Sequence, residues 1–131
     1  MERGKCRRGK AELVMEYMLL IYHNEEEAYA RPEAEKQQIF QEFGAFTQSV
    51  VKSGHRKAGA PLEFTKSAAT VRVRDGKTMV TDGPFAETKE QLGGYVLVEA
   101  KDLDEAIAIA ARIPSSKYGS TEVRPVMKIN M

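Results

Sequence analysis

The sequence predicts an α+β domain, and three patterns in it carry that expectation. Residues 17–22, 70–74, 77–81 and 95–99 are short, apolar or alternating, and rich in β-branched or aromatic side chains, as strands are. Two other segments repeat apolar residues at helical spacing: Ile39, Phe43, Phe46 and Val50 in one, Leu103, Ala106, Ile107, Ala110 and Ile113 in the other. Asp75-Gly76 stands between two of the strand runs, where both positions of a two-residue hairpin turn need positive φ.

Taken in order, residues 17–22 read as a strand buried on both faces or nearly so, ended by His23 and Asn24. Glu25, Glu26 and Glu27 then read as a polar loop. Pro32 suits the first turn of a helix, and Glu33 and Glu35 favour the positive end of its dipole. Gly54 is its expected stop. Residues 57–64, broken by Gly59 and Pro61, read as a loop or a weak edge strand. The hairpin of residues 70–81 follows and ends at Asp82-Gly83-Pro84, because proline cannot donate to a ladder. Residues 95–99 are the clearest central strand. Asp102 and Glu105 have the spacing of a capping box ahead of the second helix, which Pro114 closes. Residues 121–127 supply the last strand.

The order is therefore β-α-β-β-β-α-β. Setting aside the second arm of the hairpin as an inserted strand leaves βαββαβ, the ferredoxin-like arrangement. Such a sheet covers one face with its two helices and leaves the other open and apolar. A second copy packed on that face, giving a homodimeric α+β barrel, is the economical way to bury it.

Composition narrows the function classes. With 42% hydrophobic and 30% charged residues, wholesale disorder is excluded. Twenty Lys and Arg against 19 Asp and Glu leave a net charge of +1, which gives no bulk pull toward nucleic acid. No apolar run reaches the roughly 20 residues of a membrane span. The single cysteine, Cys6, cannot form an internal disulfide and fits a reducing, cytoplasmic setting. Residues 1–14 carry Arg3, Lys5, Arg7, Arg8 and Lys10 with no apolar periodicity. They are expected to form a flexible basic extension ahead of a domain spanning residues 15–131, with Met15 opening a stretch that begins like a mature protein. Contact of that tail with nucleic acid is a minor alternative.

Residues 82–94, Asp-Gly-Pro-Phe-Ala-Glu-Thr-Lys-Glu-Gln-Leu-Gly-Gly, resemble the signature of the DGPF group within the YCII-related family. The resemblance extends over residues 15–127, from the opening run at Tyr17 to the closing Glu122-Val123-Arg124-Pro125-Val126. It implies a dimeric α+β barrel of two ferredoxin-like sheets packed face to face. It implies little about activity, since most members of the group have none assigned. Many of them are encoded beside alternative sigma factors, which makes such a factor a candidate partner. In the wider family an Asp ending the first strand and a His opening the first helix are proposed as an acid/base dyad, and some members resemble dehydrochlorinases of chlorinated hydroxyquinols. That His follows an Arg-Pro-x pattern. Here Arg31 and Pro32 stand in place, but Ala34 holds the matching position, and the Asp position falls near Asn24 or Glu25. The dyad is not carried over.

From the residues themselves, His23 leads the catalytic candidates, at the end of the first strand with Glu25 near enough in sequence to orient it. The plain alternative is a solvated strand-end histidine. Asp82 and Glu87 flank the signature loop, where each is either a base over a pocket or a turn and surface carboxylate. Lys89 lies in the same charged loop, a usual place for binding residues. Arg72, Arg74 and Arg124 lie on strands, as an anion-binding wall or a hydrated face. Tyr22 and Tyr95 read as core or rim aromatics, Tyr22 within reach of a ligand, and His55 as a loop residue. Two distant histidines and one cysteine give no metal spacing, no nucleotide fingerprint precedes a helix, and no cofactor is expected. Two functions follow. One is a cofactor-free lyase, isomerase or dehydrochlorinase-like enzyme on a small aromatic or acidic ligand; the other is a non-catalytic ligand-binding or regulatory module.

Overall fold

The computed structural model describes residues 14–129. The expected basic extension, with Cys6 in it, lies outside the described residues except for Val14. Six strands and three helices follow one another: β1 (Met15–His23), α1 (Glu25–Ala30), α2 (Glu33–Lys52), β2 (Arg56–Pro61), β3 (Ala69–Arg74), β4 (Lys77–Asp82), β5 (Gln91–Ala100), α3 (Leu103–Ala111) and β6 (Ser120–Pro125). Short 3-10 turns occupy Thr65–Ser67 and Pro114–Lys117.

The main sheet has the order β2-β5-β1-β6, with every neighbouring pair antiparallel, while among the described residues β3 and β4 form a two-stranded sheet of their own. This is the ferredoxin-like α+β arrangement, with the hairpin as an insertion between its second and third strands. The whole hairpin stands outside the sheet, not only its second arm. The segment expected as a loop or weak edge strand is β2, the sheet's second strand. Its small residues explain why it pairs so closely: a Cβ on Gly59 would come within 2.8 Å of the Tyr95 carbonyl oxygen. Gly and Pro are tolerated there because β2 lies on an edge.

Alternation along β1 sends Tyr17, Leu19 and Ile21 into the core. There they meet Val98 and Ala100 of β5, Phe46 and Val50 of α2, and Ala106, Ile109 and Ala110 of α3 with Ile113 just beyond it. Two helical details depart from expectation. Glu25, Glu26 and Glu27 form the first turn of α1 instead of a loop, because the Asn24 side chain accepts from the Glu27 N–H at 2.9 Å and the carboxylates suit the helix N-terminus. In α3, Leu103 and Ile107 face solvent; the buried stripe starts at Ala106 and continues through Ile109, Ala110 and Ile113. So many α3 residues are apolar that spacing alone allowed either stripe. The Asp102 cap forms as read, accepting from the Glu105 N–H, but the return bond of the box is shifted by one residue: the Glu105 carboxylate accepts from the Lys101 N–H, ahead of the cap.

Asp75 and Gly76 both have positive φ, 52° and 74°, as their turn requires. Val71 and Val80 are cross-strand partners on one face of the hairpin, and with Val73 they are exposed. On the sheet side away from the helices, Met18 lies opposite Leu97, with Leu20 and Tyr22 farther along β1.

Candidate functional site

A cleft of about 950 Å³ opens between the sheet and the helices, bounded by the ends of β1 and β5, the edge strand β2, and the first half of α2. The amphipathic stripe of α2 divides its work here. Phe46 and Val50 are buried in the core, while Ile39 and Phe43, on the same stripe, roof the cleft together with the exposed Phe40. Phe64 and Tyr118 add aromatic walls.

His23 is the last residue of β1 and follows Tyr17, Leu19 and Ile21 on the helix-facing side. A bulge in β5 makes room for it. The register passes from Ile21–Gly94 to Tyr22–Leu92, so Gly93 has no partner on β1. A Cβ at Gly93 would sit 2.7 Å from the His23 Nε2, which is why a side chain is excluded there. Phe64 meets the imidazole edge-on, with ring centres 6.1 Å apart. Nε2 is buried and has no hydrogen-bond partner among the described residues. Burial pushes the His23 pKa below the ordinary 6.5; Glu25 opposes that shift, Arg31 adds to it and Glu90 opposes it. The ring is therefore neutral at neutral pH and able to accept a proton.

Glu25 does not orient the imidazole. Its carboxylate accepts instead from the Thr65 N–H at 2.9 Å and the Thr65 hydroxyl at 2.7 Å, tying the turn after β2 to α1. Its backbone N–H donates to the Gln91 side chain, and the Asn24 amide donates to the Lys89 carbonyl, so the end of the signature loop is fastened beside His23. Arg31 stacks on the Tyr118 ring at 4.3 Å and pairs with Glu35 at 3.4 Å. Burial raises the Tyr118 pKa, which keeps its phenol protonated. Among the described residues that line the cleft are four cations, Arg31, Lys36, Arg56 and Lys66, and no Asp or Glu. Nor do any three His, Cys, Asp or Glu among the described residues gather as metal ligands.

The YCII-related domain model matches residues 15–130, which takes in nearly all of the chain beyond the basic segment. The chain belongs to the YCII-related family. It is also 39% identical over 114 residues to Uncharacterized protein R00369 of Rhizobium meliloti (strain 1021), covering 86% of this chain and 92% of that one.

Within this YCII-related protein, Ala34 is exposed on α2 and does not line the cleft, so nothing there substitutes for the helix histidine of the dyad. Of the residues singled out from the sequence, His23 and Tyr95 line the cleft. Asp82 ends β4, and Glu87 and Lys89 lie exposed in the following loop. Arg72 and Arg74 are on the outlying hairpin, whereas Arg124 is on β6 of the main sheet, paired with Glu122 at 2.9 Å, so the three do not form one wall. Tyr22 lies on the open side of the sheet, opposite Ser120 of β6. His55 bonds to the Ser53 hydroxyl at 2.7 Å and faces Glu105 at 3.4 Å, away from the cleft. The residues that sequence reading missed are Arg31, Lys36, Arg56, Lys66, Phe64, Ser115 and Tyr118. They come from separate segments with no shared spacing, and only the fold assembles them. No helix among the described residues is long and apolar enough to cross a membrane.

Proposed function

We propose that this protein takes a small anion with an aromatic body into the cleft, where His23 accepts a proton from it without a cofactor. The lining carries this reading. In a chain whose charges nearly cancel, 20 basic against 19 acidic, the described residues that line the cleft include four cations, no carboxylate and an imidazole nitrogen without a partner among them. Phe40, Phe43, Phe64 and Tyr118 supply the apolar walls such a ring needs. The chemistry is that of a lyase or isomerase. A C–H or O–H bond of the ligand, weakened by a neighbouring carbonyl or ring, breaks, its proton goes to Nε2, and the electron pair is delocalised over the ligand, with its charge on oxygens near the cations. In an isomerisation the imidazole returns the proton; in a dehydrochlorinase-like elimination the pair forms a double bond as chloride leaves.

Calorimetric titration tests the reading. Benzoate is expected to bind and benzylamine, its cationic counterpart, is not; Arg31→Gln should weaken benzoate by about tenfold. Equal affinity for the two probes, or no binding of either, would contradict it.

The signature over residues 82–94 supports membership of the DGPF group and attaches a second reading to its loop. Phe85 is 78% exposed there, the kind of side chain that a protein partner such as a sigma factor would cover. Phe85→Ala should then abolish capture of that factor and leave benzoate binding intact. The exposed apolar face of the hairpin and the open side of the sheet also support a homodimer in which each copy covers the other.

A further inference from the structure

Two buried polar side-chain atoms among the described residues have no hydrogen-bond partner, Nε2 of His23 and Oγ of Ser115, and both residues line the same cleft. Ser115 is 2% exposed, inside the turn Pro114–Lys117. Its neighbour Ser116 shows what a structural serine does in that turn: its hydroxyl lies 2.9 Å from the Ala110 carbonyl, to which it donates, and 2.8 Å from the Thr121 hydroxyl. Nothing among the described residues uses the Ser115 hydroxyl, although burying it unpaired disfavours the folded state.

Gly119 lets the backbone of the Ser115 turn lie against that of His23. A Cβ built there would lie 3.2 Å from the His23 Cα and 3.3 Å from the Ser115 carbonyl oxygen, and it would collide with the Tyr22 carbonyl oxygen. Only glycine lets the turn close against the end of β1.

We propose that Ser115 is a specificity residue, and that its hydroxyl and the His23 Nε2 together bind a hydroxyl group on the ligand. With the ring proton on Nδ1, Nε2 is an acceptor, and a serine hydroxyl is a donor. A ligand hydroxyl satisfies both at once by donating to Nε2 and accepting from Oγ, and the proton that Nε2 takes in the reaction is then this hydroxyl's. The inference rests on the cleft reading above and narrows it, from aromatic anions in general to those that also carry a hydroxyl.

The test compares benzoate with its three monohydroxy derivatives by calorimetry, on the wild type and on Ser115→Ala, with melting curves of both free proteins. At least one hydroxybenzoate should bind the wild type about tenfold more tightly than benzoate. Ser115→Ala should bring the hydroxybenzoate-to-benzoate affinity ratio to about one and melt no lower than the wild type, because it deletes an unsatisfied hydroxyl. Ser115→Cys, which keeps the volume and weakens the donor, should lose the same preference. If benzoate binds but no hydroxyl preference exists, or if the preference survives both variants, the role of Ser115 is overturned and the cleft reading stands. If no probe binds the wild type, both fall together.

Discussion

His23 is held neutral by burial, and that has a consequence for stability as well as chemistry. The unfolded chain takes up this proton near the ordinary value of 6.5, and the folded chain only at a lower pH. Between those two values acid favours the unfolded state. The wild type should therefore lose stability as the pH falls below 6.5, and His23→Gln should lose less over the same range, as read by denaturant titration. An identical pH dependence in the two proteins would mean that the imidazole is not buried as described. Gly93 makes a complementary case. Its Cβ would fall within 3.0 Å of two imidazole atoms, and the ring, as the movable partner, must give way. Gly93→Ala should thus cost ligand affinity more than it costs melting temperature. A variant that binds benzoate as the wild type does would show that the ring position is immaterial.

Among the elements, α1 is the one that fastens the site. It carries Glu25 to Thr65 and starts from Asn24, whose side chain both caps the helix and reaches the Lys89 carbonyl. Asn24→Ala should cost about 1 kcal/mol in denaturant unfolding. No loss at all would show that neither bond contributes. Leu19→Ala, at the centre of the core and fully buried, should cost more, about 2–5 kcal/mol. These elements also show what could be read beforehand. Alternation in β1 and β5, the stripe of α2 and the Asp75-Gly76 turn were legible because each is a local pattern that a single face or turn dictates. α1 was not legible, since its six residues carry no buried side chain and its one strong signal, Asn24 as a cap, also reads as a loop residue. β2 was obscured by the same Gly and Pro that let it lie on the sheet edge. At the site, His23 was visible as a lone histidine ending a strand. The cation-lined wall was not, because Arg31, Arg56 and Lys66 meet only after β2 has crossed to the edge beside β5.

The molecule as a whole presents two apolar surfaces that its own described residues leave exposed, on the hairpin, or half-buried, on the sheet. Val71, Val73 and Val80 on the hairpin are about 60% exposed, at 61%, 59% and 64%, and a two-stranded ribbon of this kind is marginal by itself. The open side of the sheet offers Met18, Leu20 and Leu97. A two-fold pairing of copies would bury both, so light scattering should give twice the chain mass for the wild type and less for Val71→Lys combined with Val80→Lys. A monomeric wild type would remove the barrel from the account. The claim on which everything else depends is that the cleft around His23 binds an aromatic anion. It is tested most directly by nitrogen-15 spectra of the imidazoles, of which the chain has two, His23 and His55, separable through a His55→Gln variant. The account predicts that His23 titrates below 6.5 and that benzoate moves its resonances while leaving those of His55 in place. A His23 that titrates as a free histidine and does not respond to benzoate would contradict it.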